Sequence, residues 1–102
     1  MCKIVYVTTT NEKEAKKIAK ALVEEKLAAC INWFPIKSIY KWKGKIQEEK
    51  EVAMVIKTQA KLVDKIIKRV KELHSSSIPC IISLSIEKGY KKFLEWIKEE
   101  TK

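Results

Sequence analysis

The dominant feature of the hydrophobic pattern is a pair of long strand-like segments that meet at a glycine turn. The first segment spans residues 27–42 and the second 46–56, with a tight turn at Lys43-Gly44-Lys45 between them. β-Branched and aromatic residues favour a strand, and a glycine turn between two such segments indicates a hairpin. A strand usually has about 5–6 residues, so both arms are unusually long. We expect their outer ends to project from the domain and to pair with another chain.

Three other segments have apolar residues at helical spacing, which predicts three amphipathic helices. Asn11, with Glu14 three residues later, has the spacing of a capping box and predicts the start of the first helix, which ends near Lys26. Thr58 predicts the cap of the second helix, and the third begins at Gly89. The predicted stripes are Ala15, Ile18, Ala19, Leu22 and Val23, then Leu62, Val63, Ile66, Ile67, Val70 and Leu73, then Tyr90, Phe93, Leu94 and Ile97.

Two short apolar runs predict the remaining strands, at residues 4–7 and 80–86, the latter with Ile82, Leu84 and Ile86 on one face. Pro35 lies inside the first long arm. Because proline lacks the N–H that a sheet ladder needs, it predicts an edge or a bend, with one half of the arm in the sheet and the other half projecting.

The element order β-α-β-β-α-β with a C-terminal helix predicts an α+β, ferredoxin-like fold in one domain, residues 1–102. In that fold a four-stranded antiparallel sheet carries both main helices on one face. Only the last helix remains to cover the other face. We therefore expect self-association, because closed symmetric oligomers commonly cover exposed strands.

Charge and cysteine content exclude several classes of protein. The net charge is +9, but lysines alternate with glutamates along the helices, which is typical of a solvated face and not of a nucleic-acid site. Lys and Glu enrichment is also typical of proteins from hot environments. Three cysteines without a Cys-x-x-Cys pair indicate reduced thiols and not a disulfide framework.

No apolar run approaches the roughly 20 residues that span a bilayer, and the chain begins without the layout of a signal peptide. We therefore predict a cytoplasmic protein with neither a membrane nor a nucleic acid as partner.

Four stretches together resemble a known family. They are Glu25-Lys-Leu-Ala-Ala-Cys-Ile-Asn32, Ile39-Tyr-Lys-Trp-Lys-Gly-Lys-Ile46, Glu51 with Ile56-Lys-Thr58, and Leu73-His74 followed by Pro79. In register over nearly the whole chain, they resemble the divalent-cation tolerance proteins of the CutA family. The resemblance implies a homotrimer similar to the PII signalling proteins, in which long hairpins pair between subunits. It also implies a role in tolerance of copper and other divalent cations, weak binding of copper or another divalent ion, and no catalytic activity.

One segment departs from the family pattern. Members of the family usually carry His-Pro-Tyr after the second helix and then Pro-Glu, whereas this chain has His74-Ser-Ser-Ser and then Pro79-Cys80. A thiol therefore stands where the family has a carboxylate, and a site that depends on the missing residues is in question.

Cys30, His74 and Cys80 are the candidate metal ligands, because thiolate and imidazole suit copper and zinc. They form no local cluster, so they would have to converge through the fold or across a subunit boundary. The alternative is structural: free cysteines are commonly buried as small hydrophobes, and a histidine at a helix C-terminus suits the helix dipole.

A candidate ligand cleft and a candidate interface fall on the hairpin. Tyr40 and Trp42 share a strand face and could line a cleft or pack between subunits. The other candidates for the cleft are Asn32, Glu51 and Lys57, and those for the trimer interface are Trp33, Ile39 and Ile46.

No motif predicts catalysis. The chain has neither a phosphate-binding glycine loop nor His-Glu-x-x-His, and its one histidine has no evident nucleophile beside it. The alternative function is a PII-like sensor that binds a small anionic ligand between subunits, with Lys57 as its cation, and signals to a partner protein.

Overall fold

The computed structural model describes all residues, Met1–Lys102. Its elements are β1 (Cys2–Thr9), α1 (Glu12–Glu24), β2 (Cys30–Trp42), β3 (Lys45–Gln59), α2 (Val63–Leu73), β4 (Ile81–Ser85) and α3 (Lys91–Glu100), with a 3₁₀ turn (Ala60–Leu62) before α2. The four strands form one antiparallel sheet in the order β2-β3-β1-β4. The predicted ferredoxin-like α+β fold is therefore confirmed.

The start of α1 is held by its own side chains. The Asn11 side chain accepts the Glu14 N–H at 2.9 Å, as predicted. The Glu14 carboxylate returns to the N–H of Thr10 and not to that of Asn11. At the other end Lys26 adopts a left-handed conformation (φ 59°), which ends the helix and turns the chain toward β2.

The long arms differ from their predicted bounds. β2 begins at Cys30 and not at residue 27, because the amide of Leu27 still bonds to the carbonyl of Leu22 and closes the end of α1. β3 continues past residue 56 to Gln59. Thr58, predicted to cap the second helix, lies in β3, where its buried hydroxyl donates to the carbonyl of Leu27 at 2.6 Å. That prediction was wrong because Thr58 pairs within the sheet and its hydroxyl is used there, not at the start of a helix.

The hairpin turn has two residues, Lys43 (φ 49°) and Gly44 (φ 79°), both left-handed. Such a turn matches the twist of the flanking strands. β1 pairs with β3 only as far as Val52, which lies opposite Pro35 of β2. From there to the turn the two arms pair only with each other, so the outer half projects from the sheet as predicted.

The core lies on one face of the sheet. Val5 and Val7 of β1 pair with Ile56 and Met54 of β3, and all four are fully buried beneath α1 and α2. In the predicted stripes of α1 and α2, Val23 and Ile67 differ: they are 44% and 37% exposed, because they lie at the margin of their stripes.

The other face is largely open. Its apolar side chains include Phe34, Ile82 and Leu84, which are about half exposed. α3 covers only one end of this face, where Ile97 packs against Cys2 and Ala29. Tyr90 and Phe93, predicted to face the core, are also exposed.

Candidate functional site

A cleft lies between the projecting half of the hairpin and the segment that follows α2. Its volume is about 720 Å³. The residues that line it are Thr8, Thr10, Ser38, Ile39, Tyr40, Trp42, Gln47, Glu49, Glu51, His74, Ser75, Ser76, Ile78 and Cys80. The fold thus brings together five of the predicted metal-ligand and cleft residues, Tyr40, Trp42, Glu51, His74 and Cys80. Ile39, predicted for the trimer interface, also lines the cleft.

The register of β2 and β3 determines which hairpin side chains line the cleft. Tyr40 and Trp42 lie on the same face of β2, and Glu49 and Glu51 lie on the matching face of β3. The Tyr40 hydroxyl donates a hydrogen bond to Glu49. That hydrogen bond to a carboxylate raises the pKa of the Tyr40 hydroxyl above its ordinary value of 10.0. Glu49 was missing from the predicted cleft, although its alternation with Glu51 opposite two aromatic residues could have indicated it.

His74 forms the opposite wall and is engaged through both ring nitrogens. Its Nε2 lies 2.7 Å from the carbonyl oxygen of Thr8, and its Nδ1 lies 2.9 Å from the backbone nitrogen of Ser76. Because a carbonyl only accepts and an N–H only donates, these contacts assign a neutral imidazole with its proton on Nε2. The side chain is only 4% exposed. In this arrangement neither nitrogen has a lone pair free for a metal ion.

Glu14 anchors the same segment from the start of α1. Its carboxylate accepts the N–H groups of Thr10 and Ser75 at 2.9 and 2.8 Å, and it lies 3.9 Å from His74 Nε2. Partial burial alone would raise the pKa of the Glu14 carboxyl. The hydrogen bonds from Thr10 and Ser75 outweigh burial and hold that pKa below its ordinary value of 4.5.

Three predicted residues form a separate cluster outside the cleft. The Lys57 ammonium donates to the side-chain oxygen of Asn32 and lies 3.9 Å from the Cys30 thiol. Cys30 is on β2, one edge strand of the sheet, whereas Cys80 precedes β4, the other edge strand. The fold therefore separates the two candidate thiol ligands, and no group of three or more His, Cys, Asp or Glu side chains is placed to hold a metal ion.

The predicted interface residues are open to solvent in a single chain. Trp33 is 36% exposed, and Ile39 and Ile46 are each 69% exposed. Ile39 and Ile46 lie on the hairpin face opposite to Tyr40 and Glu49.

Comparison with known proteins relates this architecture to one family. Residues 3–100 match the family model of the CutA1 divalent ion tolerance protein. A divalent-cation tolerance protein CutA from Archaeoglobus fulgidus is 46% identical over 99 residues, covering 97% of each chain. The human Protein CutA is 47% identical over 97 residues, but this chain spans only 54% of its length.

Solved structures of similar proteins match the fold of this chain over its whole length. The divalent cation tolerance protein CutA1 of Thermus thermophilus has a TM-score of 0.96 at 42% identity, with 100% of both chains covered. The ferredoxin-like fold and its unusually long hairpin thus assign the protein to the divalent-cation tolerance class. The chain belongs to the CutA1 divalent ion tolerance family.

Cellular locations differ among the relatives. The Archaeoglobus fulgidus structure is described as that of a periplasmic protein, and the Arabidopsis thaliana relative is described as chloroplastic. The helices of this chain have at most 13 residues, too few to cross a membrane.

Proposed function

We propose that this chain is a cytoplasmic, non-enzymatic protein of one domain, residues 1–102, that assembles as a homotrimer and binds copper or another divalent cation in the course of cation tolerance. The observation that supports the assembly best is the projecting half of the hairpin, whose apolar side chains Ile39 and Ile46 are left open by their own chain. Exposed strands and apolar surface of this kind are normally covered by association. Trp33 and the open face of the sheet extend the same proposed interface.

Size-exclusion chromatography with light scattering tests the assembly. We expect a mass three times that of one chain. A monomer at micromolar concentration would contradict the trimer, and with it the proposal that ligands come from neighbouring subunits.

The candidate ligands do not complete a metal site within one chain. Cys80 is exposed in the cleft, where Glu49 and Glu51 supply carboxylate oxygens. His74 has to release Thr8 or Ser76 before it can bind an ion. We infer that an ion is bound weakly at the cleft and draws ligands from more than one subunit.

Cys30 is the weaker of the two thiol candidates. The Lys57 ammonium, 3.9 Å from its sulfur, repels a second cation. We therefore expect Cys30 to contribute less than Cys80.

Copper titration by calorimetry separates the three candidate ligands. We expect Cys80→Ser to weaken binding most, His74→Ala to weaken it less, and Cys30→Ser to have the smallest effect. If all three variants bind copper like the unmodified protein, none of these residues is a ligand.

The alternative of a PII-like sensor for an anionic ligand finds less support. Its cation, Lys57, lies outside the cleft and is bound to Asn32. The cleft itself carries carboxylates, which repel an anion. A thermal-shift screen of nucleotides and organic acids tests this, since stabilisation by any of them would favour the sensor.

A further inference from the structure

The single histidine of the chain is already engaged at both ring nitrogens. Its Nε2 donates a proton to the carbonyl oxygen of Thr8 at 2.7 Å, and its Nδ1 accepts the backbone N–H of Ser76 at 2.9 Å. The one lone pair that the neutral ring can offer in its plane therefore lies on Nδ1 and is occupied by Ser76. A divalent ion such as zinc binds histidine through a nitrogen lone pair, so the Ser76 N–H competes with an ion for His74.

The two partners of His74 differ in how firmly the fold holds them. Thr8 lies within β1, where it pairs with Ala53 of β3, and its own N–H donates to the carbonyl of Cys80. Ser76 lies outside every helix and strand and is exposed. Local opening costs least where few buried contacts are lost. Ser76, and not Thr8, is therefore the partner that His74 can release.

The same hydrogen bond also ties residues 76–78 to the rest of the protein. Ser75 is anchored separately, because its N–H donates to the Glu14 carboxylate at 2.8 Å. The only other hydrogen bond of residues 76–78 is local, from the Ile78 N–H to the Ser76 hydroxyl at 3.2 Å. All three residues are exposed, so burial does not hold the segment in place. Loss of one hydrogen bond therefore frees a part of the cleft wall, to which Ser76 and Ile78 belong.

We propose that the Ser76 amide caps His74 in the free protein, and that release of residues 76–78 uncovers the Nδ1 lone pair for a divalent ion. The segment is an autoinhibitory contact, which lowers the affinity of the cleft for cations. This inference rests on the proposed function, because it describes how one of the proposed ligands is controlled.

Nitrogen-15 NMR of the metal-free protein tests the cap. Because the chain has one histidine, labelled histidine gives the signals of a single ring. At neutral pH we expect the proton on Nε2 and the lone pair on Nδ1. We also expect slower hydrogen exchange at the Ser76 N–H than at the Ser77 N–H, which donates no hydrogen bond. A proton on Nδ1, or equal exchange of the two amides, would overturn the cap.

Calorimetric titration with Zn²⁺ tests the competition. Ser76→Pro removes the N–H, since proline has none. We expect this variant to bind Zn²⁺ about three- to ten-fold more tightly than the unmodified protein, which is the worth of one ordinary hydrogen bond. Ser77→Pro is the matched control: it places proline one position away, where no hydrogen bond is lost, and should keep the affinity within about two-fold of the original.

A double-mutant cycle assigns the gain to the imidazole. In a His74→Ala background, Ser76→Pro should change the affinity for Zn²⁺ by less than about two-fold, because the two residues no longer interact. If the gain persists without the imidazole, proline acts through the shape of the segment, and the cap is overturned.

Hydrogen exchange of the unmodified protein decides the same question if Ser76→Pro does not fold, which circular dichroism will show. Saturating Zn²⁺ should speed exchange of the Ser76 amide, because its acceptor is lost. Unchanged exchange at saturation would overturn the proposal.

The copper titration described above keeps the two proposals apart. Equal affinity for Zn²⁺ with and without the Ser76 N–H overturns only this inference, whatever the copper titration shows. Zinc binding by Ser76→Pro alone supports the cap, and absence of copper binding by the unmodified protein would then overturn only the proposed function. If neither protein binds Zn²⁺, the cap is overturned.

Discussion

The two halves of the β2–β3 hairpin share one continuous register yet differ in what covers them. In the inner half β3 also pairs with β1, and Met54 and Ile56 are fully buried beneath the helices. In the outer half the arms pair only with each other, and Ile39 and Ile46 are each 69% exposed. An isolated two-stranded hairpin is marginally stable at best in water. The inner half is therefore stabilised by the rest of its own chain, whereas the outer half has only the pairing of its two arms.

The inner and outer halves of the hairpin also differ in their roles. The inner half provides core side chains, while the outer half carries Tyr40, Trp42, Glu49 and Glu51, which line the cleft. Binding sites commonly occupy the less stable parts of a fold. We therefore expect mutations in the inner half to lower the stability of the fold and mutations in the outer half to impair assembly or binding.

The largest effect is expected from Met54→Ala in the inner half. Removing a fully buried side chain leaves a cavity and should lower the free energy of unfolding by about 2–5 kcal/mol. Guanidinium denaturation at fixed protein concentration measures it. A loss as small as that of an exposed site would show that the inner half is not the stabilising core.

The double variant Ile39→Lys/Ile46→Lys tests the outer half. Both side chains are exposed in one chain, so the fold should persist, but buried charges at a subunit contact are costly. We expect light scattering to show dissociation to monomers while far-UV circular dichroism keeps its native shape. Lys37→Glu, also on the outer half, serves as a control that leaves the apolar contacts intact. If the double variant and the unmodified protein have the same mass in solution, these isoleucines lie outside the proposed interface.

The sequence predicted the elements that depend on local chemistry. The tight turn at Gly44, the cap at Asn11 and the apolar period of α1 depend on residues within a few positions of one another. Thr58 was assigned wrongly because its partner, the carbonyl of Leu27, lies 31 positions away. A local capping signal carries no information about a strand that passes beside it.

The candidate site was predicted only in part for the same reason. Strand alternation places Tyr40 with Trp42, but the approach of His74 and Cys80 to them depends on how the sheet arranges distant segments. The double engagement of His74 with Thr8 and Ser76 has no signature in the sequence. Neither does the pairing of Lys57 with Asn32, which lie outside the cleft of a single chain.

A smaller effect is expected at the turn that closes the outer half. Gly44 has φ 79°, a conformation that side chains disfavour, although a Cβ there would meet no neighbouring atom. Gly44→Ala should therefore lower the free energy of unfolding by about 1–2 kcal/mol through backbone strain alone. Lys43→Gly, at the other left-handed position, should have no such cost. Thermal denaturation of both variants checks the difference, and equal melting temperatures would argue against a strained turn.

The smallest effect is expected from the carboxylate that anchors the cleft wall. Hydrogen bonds from Thr10 and Ser75 hold the pKa of Glu14 below 4.5 in the folded protein despite the opposing effect of burial. A lowered folded pKa means that the stabilisation is complete above about pH 4.5, the ordinary value, and is lost as the pH falls through the folded pKa. Glu14→Gln should remove this acid-dependent part, so that the melting temperature falls less steeply with decreasing pH. Glu24→Gln, whose side chain is 65% exposed and contacts only Lys20 at 4.0 Å, is the matched control. If both variants keep the original acid profile, the bonds from Thr10 and Ser75 do not stabilise the charged carboxylate, and another group must anchor the segment that carries His74.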